Sequence, residues 1–205
     1  MKLNRLYTYK IVVDNGGAPC DQDGLLTLAI CKPMIRSFAC ENDWIFGFGG
    51  NSLNQRLIYI AQITKILSGF DYYSKPQYKH RRDCIYSLRN KKFITKKSAL
   101  YHQEGRNILQ DLGNYPKYSR AKVILSRNYK YLGHKGRSAN KSDYPAINKL
   151  LKSLKRGYRV HHSAKNRIEL EKLQKEIWRR YSNRNSIGDP SHEIPALSHE
   201  YCSCG

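Results

Sequence analysis

Asp14, Lys32, Arg36 and Asp43 punctuate the apolar front half of this chain, and their types and spacing suit a nucleotide. Lys32 and Arg36 flank a turn after an apolar run, a place from which cations grip phosphate. Asp14 and Asp43 offer acceptors to the edge of a base, and a carboxylate so placed can act as a general base. Asp43 reads equally as an Asx-type cap on a strand entry. Trp44 and Tyr59 supply flat faces for stacking, with the indole N–H suited to a pocket mouth. Asn15 opens the Asn-Gly-Gly turn that follows Asp14. Gly49 and Gly50 either bring backbone N–H groups close to a ligand or simply turn a hairpin. Cys31 beside Lys32 reads as an activated thiol or as a small buried hydrophobe, the commoner role. Phe46 and Phe48 read as core.

A second group lies near the other end. Arg159, His161, His162 and Lys165 surround the start of the last helix, where phosphate meets the positive helix end. A basic surface with histidines is the plainer reading. His192, His199, Cys202 and Cys204 are metal-competent, but Cys-x-Cys is tighter than the pairs of structural zinc sites. We expect no metal and no cofactor. No catalytic triad or nucleophile elbow is legible, so an enzyme has less support than a binding module.

Elements that position these residues follow from periodicity. Residues 5–13, 25–31, 44–48, 56–67 and 121–126 read as strands, rich in β-branched and aromatic residues. Along 56–67, Leu57, Tyr59, Ala61 and Ile63 form one wholly apolar face, expected to point at the core. MIRSFAC at 34–40 reads as a short helix or turn, and 70–83 as an extended loop. Residues 97–112 read as a short helix broken at Gly105. Two helices follow at 143–157 and 163–181, capped by Asp143 and Ser163. The architecture expected is α+β, a small β-barrel closed by strand 121–126 and flanked by basic C-terminal helices. One domain would span 1–183, its basic elaboration 75–183, with a loose tail at 184–205.

Charge separates these parts. The 205 residues carry a net charge of +21, yet residues 75–185 hold 30 Lys/Arg against 7 Asp/Glu. Such a segment supplies salt-sensitive attraction to phosphates. The expected partner is therefore nucleic acid, DNA in the first instance. No segment reaches the roughly 20 apolar residues of a membrane span, so no membrane partner is expected. No export signal is legible in the start MKLNRLYTYKIVV, so a cytoplasmic location with reduced cysteines is expected.

The order Asp14-Asn15-Gly16-Gly17-Ala18-Pro19, Leu26 to Pro33, Ile35-Arg36 and Asp43-Trp44-Ile45-Phe46-Gly47 resembles the second type of nucleotide modification associated domain. AKVILSRNYKYLG and the Gly157–Ser163 segment resemble its later elements, with Tyr158 and Val160 as departures. More distantly, strands 44–48 and 57–64 resemble PUA-like barrels, the group of EVE, ASCH and YTH domains. Asn42 stands where that group has glycine. The resemblance implies a prokaryotic or phage protein that reads a modified base, beside other proteins of a DNA modification or defence system. A hydrolase or transferase acting on a modified nucleotide is the alternative.

Overall fold

The computed structural model describes residues 4–103, 106–138, 142–155 and 157–196. In chain order the elements are β1 (Leu6–Ile11), β2 (Cys20–Gln22), β3 (Leu25–Leu28), α1 (Pro33–Phe38), β4 (Trp44–Gly49), β5 (Leu57–Gln62), β6 (Lys65–Ser68) and α2 (Gly69–Ser74). They continue with β7 (Tyr86–Arg89), β8 (Lys92–Thr95), α3 (Arg106–Leu112), β9 (Lys122–Ser126), β10 (Asn128–Tyr131), α4 (Pro145–Ser153), β11 (Tyr158–Arg159) and α5 (Ala164–Arg180).

The protein is mixed α+β, and its strands form two principal sheets. One has the order β10-β5-β4-β1-β11, the other β2-β3-β9-β6, with β7 and β8 as a separate hairpin. The pair β1 and β4 is parallel, with Leu6 opposite Trp44, and every other pair is antiparallel.

A closed barrel does not form among the described residues, which corrects the architecture expected from the sequence. Two chain bends explain the difference. The run 56–67 is not one strand: it breaks at Ile63-Thr64, sending β5 into the first sheet and β6 into the second. The run from β9 to β10 crosses the same corner, where Thr64 N–H donates to Leu125 O at 3.0 Å and Ser126 Oγ donates to Gln62 O at 2.6 Å. Strand β9 therefore sits between β3 and β6 and closes nothing.

Three apolar clusters fill the layers. Tyr9, Ile45 and Tyr59 of the first sheet meet Leu26, Leu28 and Ile124 of the second. On the other side of the first sheet, Phe46, Phe48 and Ile60 pack under α4 and α5, against Ile147, Leu151, Leu170 and Leu173. Strands β4 and β5 are thus covered on both faces, which is why the 44–63 region carries few charges. Within β4, Gly47 lies opposite Tyr59 of β5 and leaves room for its ring: a Cβ there would lie 2.3 Å from it. The outer face of the second sheet is closed by Tyr72 and Tyr73 of α2 with Tyr86 and Phe93 of the hairpin.

The segment from 70 to 83 forms α2 and a single 3-10 turn at Pro76–Tyr78, not an extended loop. Helix α3 occupies Arg106–Leu112 only. Residues 184–196 are not loose. Tyr131 N–H donates to Asn185 O, Ile187 N–H to Tyr131 O and His134 N–H to Asp189 O, so this strap runs along the first sheet's edge.

The caps of the last two helices differ from each other. Ser163 Oγ accepts from Asn166 N–H at 3.2 Å, as its position in the sequence leads one to expect. Asp143 does not cap α4. Instead the Glu169 carboxylate, reaching from α5, accepts from Ala146 N–H at 3.0 Å and Ile147 N–H at 2.8 Å. A carboxylate there satisfies two orphan donors and favours the positive helix end. Glu169→Ala should lower stability by about 1 kcal/mol, whereas Asp143→Ala should leave it nearly unchanged. Urea unfolding of both variants checks this.

Candidate functional site

A cleft of about 480 Å³ opens where the chain leaves β1 and where β3 turns into α1. That size lies within the roughly 300–1,000 Å³ of small-ligand sites. Its walls are Tyr9 and Ile11 of β1, the Val12–Ala18 loop, Ile30-Cys31-Lys32, and Leu100-Tyr101-His102. Pro195 of the strap closes one side. Val12 and Val13 stand exposed on the lip, 68% and 54% open to solvent.

The floor is the β3–α1 turn, and its backbone is unusual. Cys31 and Lys32 have φ of 57° and 41°, and His102 across the cleft has φ of 53°. None is glycine or asparagine, and such conformations cluster at functional sites because surrounding structure must enforce them. Enforcement is visible. Pro33 starts α1 immediately after the turn, Cys31 N–H donates to Asp111 Oδ1 at 2.7 Å, and Cys31 O accepts from Arg36 Nε at 2.7 Å.

Three groups of different chemistry stand in line here. Cys31 Sγ lies 3.4 Å from His102 Nε2, and His102 Nδ1 lies 2.6 Å from Asp111 Oδ2. Asp111 is 2% exposed and also accepts from the Tyr86 hydroxyl at 2.8 Å. Burial alone would push the His102 imidazole down, but the hydrogen bonds to Asp111 and Cys31 outweigh it, and its pKa rises to about 10. The imidazole is therefore held protonated at neutral pH.

Arg36 sits wholly buried behind this line. Its guanidinium donates to Arg120 O, Lys122 O and Asp111 O, and approaches Asp111 Oδ1 at 3.8 Å. It is a strut that ties α1 to α3 and β9, with no face left for phosphate. Lys32 reaches the cleft as a cation alongside His102. Its ammonium lies 4.8 Å over the Tyr9 ring, donates to Lys10 O at 3.2 Å, and has its pKa lowered by burial. Opposite it, Tyr101 OH donates to Asn15 O at 3.0 Å, and the Tyr101 ring covers Gly17, where a Cβ would stand 3.0 Å away.

Of the residues singled out from the sequence, Asn15, Cys31 and Lys32 line this cleft. The others lie elsewhere. Asp14 is buried beside it, accepting from the Tyr131 hydroxyl and from Ser191 N–H and Oγ. Asp43 pairs with the Arg5 guanidinium at 2.7 Å and accepts from Cys40 N–H and Arg5 N–H, so its carboxylate ties the turn before β4 to the start of β1. Trp44 packs edge-on against Trp178 at 5.3 Å under α5. Tyr59 is enclosed, its hydroxyl bonded to that of Tyr9 at 3.0 Å. Gly49 and Gly50 form the hairpin turn, donating to Arg56 O and Ile11 O.

Arg159, His161 and Lys165 are exposed near the start of α5. His162 instead turns inward, Nε2 donating to Leu6 O at 2.9 Å, and burial lowers its pKa. His199, Cys202 and Cys204 lie outside the described residues. Among the described residues no cluster of metal-ligating side chains occurs. No helix among them is long and apolar enough to cross a membrane.

His102 and Asp111 escaped the sequence reading. They come from a polar stretch with no periodicity, and only the chain reversal between β8 and α3 carries them to Cys31. The available signal was the Cys31-Lys32-Pro33 turn after a buried strand, a strand–turn–helix junction that displays a side chain.

With this geometry in hand, the comparison with protein families is specific. Residues 3–196 match the model of nucleotide modification associated domain 2, so the chain belongs to that family. No curated protein and no solved structure matches it.

The raised His102 pKa has a consequence for stability. A group whose folded pKa exceeds its unfolded value of about 6.5 contributes fully below that value and fades as pH rises toward about 10. The charges that face it are Asp111, Arg36 behind Asp111, and Lys32 beside Cys31. Between pH 7 and 10 the wild type should lose about 1–2 kcal/mol more than His102→Gln. The buried thiols Cys20 and Cys84, whose pKa values are also raised by burial, act equally in both proteins. Urea midpoints across this range give the difference.

Proposed function

We propose that this chain is the nucleotide-recognition component of a nucleotide-modification system, and that the cleft beside Lys32 takes the base. The observation that carries this reading is the cleft itself. It joins apolar walls, a tyrosine on each side and two cations, Lys32 and His102, in a chain of this family. Such a combination suits a planar heterocycle with an anionic or carbonyl substituent.

The cationic surface supports a nucleic-acid form of that ligand. Hairpin β7–β8 projects Arg89, Lys91 and Lys92 into solvent beside exposed Leu88 and Ile94. Its outgoing strand leads directly to the Tyr101 wall of the cleft. Helix α5 exposes Lys165, Lys172, Lys175 and Arg179. A strand lying along such a surface would release counterions and bind less tightly as salt rises. The partner we propose is DNA carrying a modified base, with other proteins of a modification or defence system as further partners. A PUA-like way of taking a base belongs to this same proposal. A second reading, an enzyme acting on the bound nucleotide, is favoured by the Cys31–His102–Asp111 line at the cleft floor.

The test is calorimetric binding to single-stranded oligonucleotides with modified and unmodified bases. Lys32→Ala should weaken binding about tenfold, or ~1.4 kcal/mol. Lys91→Ala with Lys92→Ala should weaken all sequences alike and lower the salt slope by about 1–2. Equal and weak binding of every oligonucleotide at low salt, indifferent to Lys32→Ala, would sink the proposal.

A further inference from the structure

Cys31, His102 and Asp111 stand in the order nucleophile, base, orienter, with contacts of 3.4 Å and 2.6 Å. Each contact fixes the next. Asp111 accepts from His102 Nδ1 and so presents Nε2 to the sulfur. Asp111 itself cannot swing away, because Cys31 N–H, Tyr86 OH and His102 hold its two oxygens. The same Asp111 thus positions both the backbone of the nucleophile and the ring of its partner. Cys31 is only partly buried and lies in the wall of the cleft, whereas Cys20 and Cys84 are buried.

We infer that Cys31, His102 and Asp111 form a thiol acyl-transfer centre whose substrate is an amide, ester or thioester attached to the nucleotide that the cleft binds. This rests on the nucleotide reading for its substrate, and on the side-chain geometry alone for its chemistry.

The step balances without an oxidant or reductant. With the proton of the Cys31–His102 pair on Nε2, Sγ attacks the carbonyl carbon to form a C–S bond. The tetrahedral intermediate collapses as the C–N, C–O or C–S bond to the leaving group breaks. The departing amine, alcohol or thiol takes the proton from Nε2, leaving a thioester on Cys31. Water or an amine acceptor then attacks that thioester and gives its proton to Nε2. The bond to the Cys31 sulfur breaks and the starting pair is restored, with the proton on Nε2. His102 must both take and give a proton, which is the work that a His oriented by a carboxylate performs. Asp111 does not touch the substrate and is a positioning residue.

A thiol serving only as a small core residue needs no imidazole aimed at it, and no left-handed turn to lift it into a cavity.

The probe is p-nitrophenyl acetate, a simple acyl donor, used on the full chain with peptide-resolved mass spectrometry. In parallel, calorimetry measures binding of deoxynucleoside monophosphates to the same proteins. The wild type should release a stoichiometric burst of p-nitrophenolate and carry acetyl on Cys31, ahead of exposed Cys40. Cys31→Ser should abolish the burst. His102→Gln should slow it at least about 100-fold and remove its pH dependence, while both variants still bind the nucleotide. Circular dichroism of His102→Gln shows that the fold is kept, and iodoacetamide labelling of its Cys31 shows that the thiol remains reachable. Acetyl found mainly on Lys32 or Cys40, or a burst unchanged in His102→Gln, overturns the acyl-transfer centre. Nucleotide binding without any burst overturns it too and leaves the nucleotide reading standing. A burst without nucleotide binding does the reverse.

Discussion

The Asp111 carboxylate is the point on which the site depends. It accepts from Cys31 N–H on the β3–α1 turn, from Tyr86 on the hairpin and from His102 on the loop before α3. Arg36 completes the environment from behind, with its donors on main-chain carbonyls of α3 and β9. A buried carboxylate is costly unless its lone pairs are satisfied and a cation is near. Here that requirement is met only when four separate segments arrive together. The cleft exists where they do.

A second buried network shows what a purely structural arrangement looks like in the same fold. Asp83 accepts from Tyr72 OH at 2.6 Å and Thr27 Oγ1 at 2.5 Å, with Arg81 3.6 Å away. Arg81 in turn donates to the main chain at Cys20, Gln22 and Leu25. Burial raises the Asp83 pKa, partly offset by Arg81. The hydrogen bonds of this network hold β2, β3 and α2 together. In the Asp111 network, by contrast, His102 and Cys31 come to the wall of the cleft.

The sequence shows the layers of this fold more clearly than its site. Strands β1, β3, β4 and β9 and helices α4 and α5 carry strong periodicity, because each buries an apolar face. The corner at Thr64 leaves no signal, since the run 56–67 contains no glycine or proline to mark a break and a bend made by backbone hydrogen bonds leaves no pattern. The Glu169 cap was hidden because its carboxylate comes from another helix, while Asp143 offered a nearer but unused oxygen. Trp44 looked available for stacking; its partner Trp178 lies 134 residues away in sequence. Lys32 was legible because a cation after a buried strand has few structural uses. His102 and Asp111 were not, because their roles arise only from tertiary proximity.

The central claim is that the cleft floored by Cys31 and Lys32 is the functional site. Soaking crystals of the protein with a deoxynucleoside monophosphate tests it most directly. The base should lie inside the cleft, between Tyr101 and the Val12–Val13 lip, with a polar atom in hydrogen-bond reach of Lys32 Nζ. A nucleotide bound instead under α4 and α5 or along the basic hairpin, with the cleft unoccupied, would contradict it.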